Sequence, residues 1–138
     1  MTKKPVGIVF AFALFLGCSG TTDPYSNVTV VPSKGVYMAG ELVTADIVNG
    51  SNETIGYGAC ALRLERREGS SWVLVGPEQL PCIDILYILE SNATATRQVP
   101  IDKSSPAGTY RVRATIFPGT HLPTRDIRSA EVLVRDAD

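Results

Sequence analysis

"GTYRVRATIF", residues 108–117, sets the strongest limit on what this chain can become. Tyr110, Val112, Ala114 and Ile116 fall on every second position, with Arg111, Arg113 and Thr115 between them. Successive side chains of an extended strand point to opposite faces, so this pattern predicts a strand with one apolar and one wet side. The same alternation returns along the chain from residue 27. "NVTVVP" (27–32) opens it and Pro32 stops it. "ELVTADIVN" (41–49) puts Val43, Ala45 and Ile47 on one face, and "NGSNET" breaks it as a turn. "TIGYGACALRLERRE" (54–68) reads as one or two strands, with Leu62 and Leu64 inward and Arg63, Glu65 and Arg67 outward. "EGSS" is a hairpin turn ahead of "WVLVG". "ATATRQVPI" (93–101) and "SAEVLVR" (129–135) follow, the latter with Ala130, Val132 and Val134 inward. "CIDILYILES" (82–91) is ambiguous between strand and helix. About seven short strands at this spacing predict an all-β fold, a two-sheet antiparallel β-sandwich with one core between the sheets.

The amino end follows another logic. Lys3 and Lys4 precede Val6–Leu16, an uncharged run of 11 residues, about half of the ~20 that a membrane-spanning helix needs. A basic start, a short apolar stretch and then small residues form a secretory signal. This one ends Leu14-Phe15-Leu16-Gly17-Cys18, which resembles a bacterial lipoprotein signal. The resemblance implies a diacylglyceryl group on the Cys18 sulfur, cleavage after Gly17 and Cys18 as the new amino terminus. Phe15 stands where that family usually has Leu, and Leu16 where it usually has a small residue. The alternative reading is an ordinary signal peptide with an incidental cysteine. Residues 1–17 are thus expected as signal peptide, 18–27 ("CSGTTDPYSN") as a lipidated flexible tether, and 28–138 as one domain. Ser19 is not the Asp that retains enteric lipoproteins at the inner membrane. The expected location is therefore the cell envelope, at the outer membrane.

With Cys18 lipidated, Cys60 and Cys82 remain, and export places them in an oxidising compartment where they pair without a leftover. A bridge closing such a loop contributes about 3 kcal/mol on the loop-entropy model. Two cysteines and the single His121 do not supply a zinc site. From Cys18 onward the chain has eleven basic and fourteen acidic residues. That is not the basic balance of a nucleic-acid binder, and membrane contact is expected through the lipid alone.

"YMAGELVTADIVNGSNETIGYGAC" (37–60), "LERREGSSWVLVG" (64–76) and "PAGTYRVRATI" (106–116) together resemble a bacterial immunoglobulin-like domain of the kind carried by small lipoproteins. A related pattern occurs in the small β-domain first described as an intracellular proteinase inhibitor in Bacillus. The resemblance covers residues 30–135 and implies an immunoglobulin-like antiparallel β-sandwich. Cys60, Trp72 and Cys82 mimic the antibody order of Cys, Trp and Cys. In an antibody domain, however, the second Cys lies in the late strand after its Tyr. Here that strand holds Tyr110 and no Cys. Tyr110 is placed either for a corner-type bond to backbone or for plain core packing.

No catalytic set assembles from the sequence. His121 lies in the Gly/Pro-rich "FPGTHLPTRD", and there is no GxSxG elbow, Walker loop, GxGxxG or calcium loop. Asp84 and Glu90 are read as solvated acids, and Trp72 as core. The candidate contact surface is the loop 117–128, where His121, Leu122, Arg125 and Asp126 offer mixed chemistry. The outward arginines Arg63, Arg67, Arg111 and Arg113 offer a basic face, and with Glu65 and Glu68 nearby a mixed, solvated surface is the expected outcome. Asn27, Asn49, Asn52 and Asn92 all stand in N-x-S/T triplets, which a bacterial chain uses as turns. The expected function is a membrane-anchored envelope lipoprotein whose sandwich is a binding or structural module touching protein or glycan. No catalysis, cofactor or metal is expected. The alternative is a proteinase inhibitor presenting the 117–128 loop.

Overall fold

Alternating residues become two-faced sheets once each strand finds its ladder. The computed structural model describes residues 23–76, 85–119 and 123–137. Its strands are β1 (Val28–Pro32), β2 (Val36–Met38), β3 (Leu42–Asn49), β4 (Ile55–Glu68), β5 (Ser71–Val75), β6 (Leu86–Leu89), β7 (Thr94–Pro100), β8 (Gly108–Pro118) and β9 (Arg125–Arg135). A small sheet runs β1-β3-β7. A larger one runs β2-β9-β8-β4-β5, with β6 on the same edge of β4 as β5. Every pairing is antiparallel except β2 with β9.

This is an immunoglobulin-like β-sandwich. The chain changes sheet at β1–β2, β2–β3, β3–β4, β6–β7 and β7–β8. Its tyrosine corner is formed: the Tyr110 hydroxyl donates to the Pro106 carbonyl at 2.7 Å. Val43, Ala45 and Ile47 of the small sheet face Tyr110, Val112, Ala114 and Ile116 of the large one, each at most 1% exposed. Fully burying a Val or Ile side chain contributes about 1.5–3 kcal/mol, so this row is the main apolar stabiliser of the fold.

The strands settle two alternatives that the sequence left open and depart from its reading in two places. "TIGYGACALRLERRE" is a single long strand whose register shifts between Tyr57 and Leu62. The ambiguous "CIDILYILES" contributes β6 over its described part. The three-residue β2 was not expected; Tyr37 anchors it, 1% exposed. Finally, β9 begins at Arg125, earlier than 129, and Ala130 is exposed where an inward position was expected. The cause is a bulge opposite Arg111–Arg113. There the Val112 amide donates to the Ser129 hydroxyl at 2.9 Å in place of a ladder carbonyl. One extra residue resets the alternation, leaving Val132 and Val134 buried.

The termini of the strands define two poles. One pole gathers residues 23–27 with the β3–β4 and β6–β7 connections, the end of β8 and the start of β9. Asn49, fully buried, ties it together. Its side-chain amide donates to the carbonyls of Glu53 at 2.8 Å, Leu89 at 3.1 Å and Glu90 at 3.1 Å. Its oxygen accepts from the Ser51 hydroxyl at 2.5 Å and the Ser51 amide at 3.2 Å. The opposite pole holds the β4–β5 hairpin and residues 101–107. In the hairpin Gly69 has φ +61°, which a type II′ turn demands of its first central residue.

Candidate functional site

Residues paired across a ladder share a face, so the register fixes what the outer side of the large sheet displays. Trp72 pairs with Arg67. Leu74, Glu65, Arg111 and Glu131 form the next row across β5, β4, β8 and β9. Arg63, Arg113 and Arg128 form the row after that, followed by Thr115 with Asp126. Towards the pole that holds residues 23–27, Leu86 stands beside Gly58, and Ile88 and Phe117 flank Gly56. Near the other edge, Leu133 pairs with Val36.

Glu65 organises the centre. The alternation correctly puts it on the outer face, but its side chain is only 6% exposed. Three arginines close over it. The Arg111 Nε donates to its Oε2 at 2.6 Å, the Arg113 Nη1 to its Oε1 at 3.5 Å, and the Arg128 Nε lies 3.5 Å from Oε2. Arg113 and Arg128 also approach Asp126, at 3.7 and 4.0 Å. Arg67 reaches Glu131 at 3.4 Å. Trp72 corrects its expected place in the core. It lies half-buried on the outer face, with the Arg111 guanidinium 4.1 Å from its ring centroid. A cation over an indole contributes about 0.5–2 kcal/mol, and here it also fixes the arginine that holds Glu65.

The face is therefore pre-organised and cationic. Arg63, Arg67, Arg111, Arg113 and Arg128 stand against Glu65, Asp126 and Glu131. Around them are Val36, Leu74, Leu86, Ile88 and Leu133, each between 39% and 59% exposed. The expected mixed, solvated surface is thus an ordered cluster with an apolar surround.

A second cationic feature lies between the sheets. Arg97 of β7 shares the inward face with Ala45. It donates to the Tyr57 hydroxyl at 2.8 Å and lies 5.0 and 4.6 Å from the ring centroids of Tyr57 and Tyr87. The two rings stack at 5.4 Å. This trio closes one open side of the sandwich. A shallow hollow of about 480 Å³ lies under the tyrosine corner, lined by Val75, Asp102, Ser104 and Tyr110 among others. The Asp102 carboxylate there is held by the Ser104 hydroxyl at 2.6 Å and amide at 2.7 Å, which lower its pKa.

Of the residues expected to form a contact loop at 117–128, two are described. His121 and Leu122 lie outside the described residues. Arg125 and Asp126 lie on β9. Arg125 is paired with Asp23 and sits 5.6 Å from the Tyr25 ring centroid, while Asp126 accepts from the Thr115 hydroxyl at 2.8 Å. Cys18 and Cys82 lie outside the described residues, and Cys60 is half-buried on β4. Asp84 is also outside them, and Glu90 accepts from the Thr54 hydroxyl at 2.9 Å. Of the four N-x-S/T asparagines, Asn49 is sealed in the fold while Asn27, Asn52 and Asn92 are exposed. Among the described residues no three His, Cys, Asp or Glu side chains group to hold a metal. No helix of that part is long and apolar enough to cross a membrane.

No family model and no curated protein matches the chain. Among solved structures, it is similar to the ASH / PapD-like domain of human CEP192 (PapD-like domain 7), at 12% identity and a TM-score of 0.43, covering 99% of each chain. The fold assignment rests on this chain's own strand order and tyrosine corner.

Proposed function

We propose that this chain is a non-catalytic lipoprotein of a bacterial cell envelope, held by acyl chains on Cys18, whose immunoglobulin-like sandwich is a binding module. The observation that carries the binding role is the outer face of the large sheet. A sandwich that only fills space needs a polar wet side. This one sets three arginines from two strands around one buried carboxylate and surrounds them with exposed aliphatic side chains. The anchor is supported by "ALFLGCSG" and by the short polar segment between Cys18 and the first described residue. The Cys60–Cys82 bridge belongs to the same reading, since lipidation leaves these two thiols in an oxidising compartment. The inhibitor alternative needs a free contact loop at 117–128. Much of that stretch is strand, with Arg125 tied to Asp23, and no observation favours it.

Labelling a bacterial host with a traceable palmitate while it expresses the full chain tests the anchor. Label is expected in the wild-type chain recovered from membranes, and Cys18→Ala is expected to lose both label and membrane association. Label retained in Cys18→Ala, or none in the wild type, contradicts the proposal.

A further inference from the structure

We infer that the outer face of the large sheet is a membrane-contact surface, and that its partner is the anionic lipid bilayer to which the chain is anchored. The inference names the partner of the binding face and rests on the envelope-lipoprotein reading for its setting. Three observations converge on it.

The first is charge asymmetry. The mature chain is acidic, with eleven basic and fourteen acidic residues from Cys18 on, yet this one face carries five arginines against three carboxylates. The remainder has six basic and eleven acidic residues. An anionic plane therefore attracts this face and repels the rest, so the field orients the domain as well as binding it.

The second is the apolar surround. Val36, Leu74, Leu86, Ile88 and Leu133 are exposed on the same face as the arginines, and Trp72 lies among them. Aliphatic side chains that enter the headgroup boundary beside arginines that meet phosphates are the chemistry of an interfacial surface. Indole is favoured at that depth. A soluble acidic glycan would use the arginines and leave the aliphatic residues in water.

The third is reach. Cys18 is five residues before Asp23, and a chain spans at most ~3.6 Å per residue, so the pole holding residues 23–27 stays within about 18 Å of the lipid. Asp23 pairs with Arg125, the first residue of β9. Ile88 and Phe117 lie at that same pole, so they are the part of the face that the tether brings down first. Tilting the sandwich about this pole lays Thr115, Arg113, Arg128, Arg111 and Trp72 onto the surface in succession.

The test uses the chain from Ser19 onward, which contains every strand but no lipid. Binding therefore reports on the face and not on the anchor, and palmitate labelling settles the anchor separately. The chain is mixed with phosphatidylcholine vesicles with or without phosphatidylglycerol. Trp72 is the single tryptophan and serves as the reporter. Partitioning is expected only with phosphatidylglycerol and is expected to weaken with salt. Trp72 emission should shift to the blue and be quenched by lipids brominated near the headgroup. Arg67→Gln with Arg128→Gln removes two exposed charges and should lower partitioning on the order of tenfold. Leu86→Ser with Ile88→Ser should weaken it independently of salt. Lys103→Gln, on an exposed residue of the opposite pole, should change nothing. The inference is overturned by an absence of partitioning. It is equally overturned by partitioning that leaves Trp72 unquenched and survives the arginine changes. It also fails if soluble heparin binds through these arginines while vesicles do not, which would assign the face to an acidic glycan.

Discussion

At the scale of single residues, Asn49 and Glu65 show the limit of reading side chains one by one. Asn49 belongs to an Asn-Gly turn dipeptide and to an N-x-S triplet, both surface signals. The side chain turns inward and donates to the carbonyls of Glu53, Leu89 and Glu90. Asn49→Ala is expected to cost about 2–3 kcal/mol, because a fully buried amide that ties three segments together is lost. Asn52→Ala, exposed in the same turn, is expected to stay within about 0.5 kcal/mol. Urea midpoints for the two variants check this, and equal midpoints would contradict the role given to Asn49. Glu65 was legible as an outward residue and illegible as a buried one. Its burial depends on Arg111, Arg113 and Arg128 arriving from strands 46 or more residues later. Nothing in "LRLERRE" states which arginine will stand opposite. Trp72 was misplaced for the same reason, since its ring is covered by a cation from β8 and not by apolar neighbours.

At the scale of elements, period-two alternation was enough wherever a strand is regular and buried on one side. β1, β3, β7 and β8 lie where "NVTVVP", "ELVTADIVN", "ATATRQVPI" and "GTYRVRATIF" place them, and the β4–β5 turn falls on "EGSS". The misses are places where alternation is interrupted or too short to count. The bulge in β9 shifts the inward set past Ala130, and the Ser129 hydroxyl that stabilises it is a single side-chain contact no periodicity encodes. β2 has only three residues, and its parallel partner lies at the far end of the chain. β6 exposes Leu86 and Ile88 and so lacks the polar outer face that marks a half-buried strand. That same lack makes β6 part of the proposed contact surface. β8 and β9 both extend into the candidate 117–128 stretch, further than the alternation showed.

At the scale of the whole molecule, three carboxylates spread over both poles give the stability an acid limb with a definite sign. Asp23 has its pKa lowered by the Tyr25 amide and by Arg125. Glu41 is lowered by the Met38 amide and by Lys34, and Asp102 by Ser104. A carboxylate whose folded pKa lies below its unfolded value contributes stability above the ordinary carboxylate range near about pH 4, and that contribution is lost as pH falls through the folded value. The urea midpoint is therefore expected to fall as the medium is acidified below about pH 4. A variant carrying Asp23→Asn, Glu41→Gln and Asp102→Asn should show a flatter limb; an unchanged limb would mean that other groups govern it. The sandwich as a class was readable from the alternation, whereas the proposed anchor rests on resemblance alone. The shared outward face of Arg63, Arg67, Arg111 and Arg113 was readable from the alternation, but Arg128 joining them and Glu65 being buried among them were not, since both need β4, β8 and β9 in register.

The central claim is that a covalent lipid and one bridge account for all three cysteines, leaving the sandwich free to present its outer face. The intact mass of the protein purified from membranes, taken before and after reduction and alkylation, tests it most directly. The expected result is residues 18–138 plus acyl chains, with two cysteines alkylated only after reduction. An unacylated mass, or a thiol that alkylates without reduction, would contradict it.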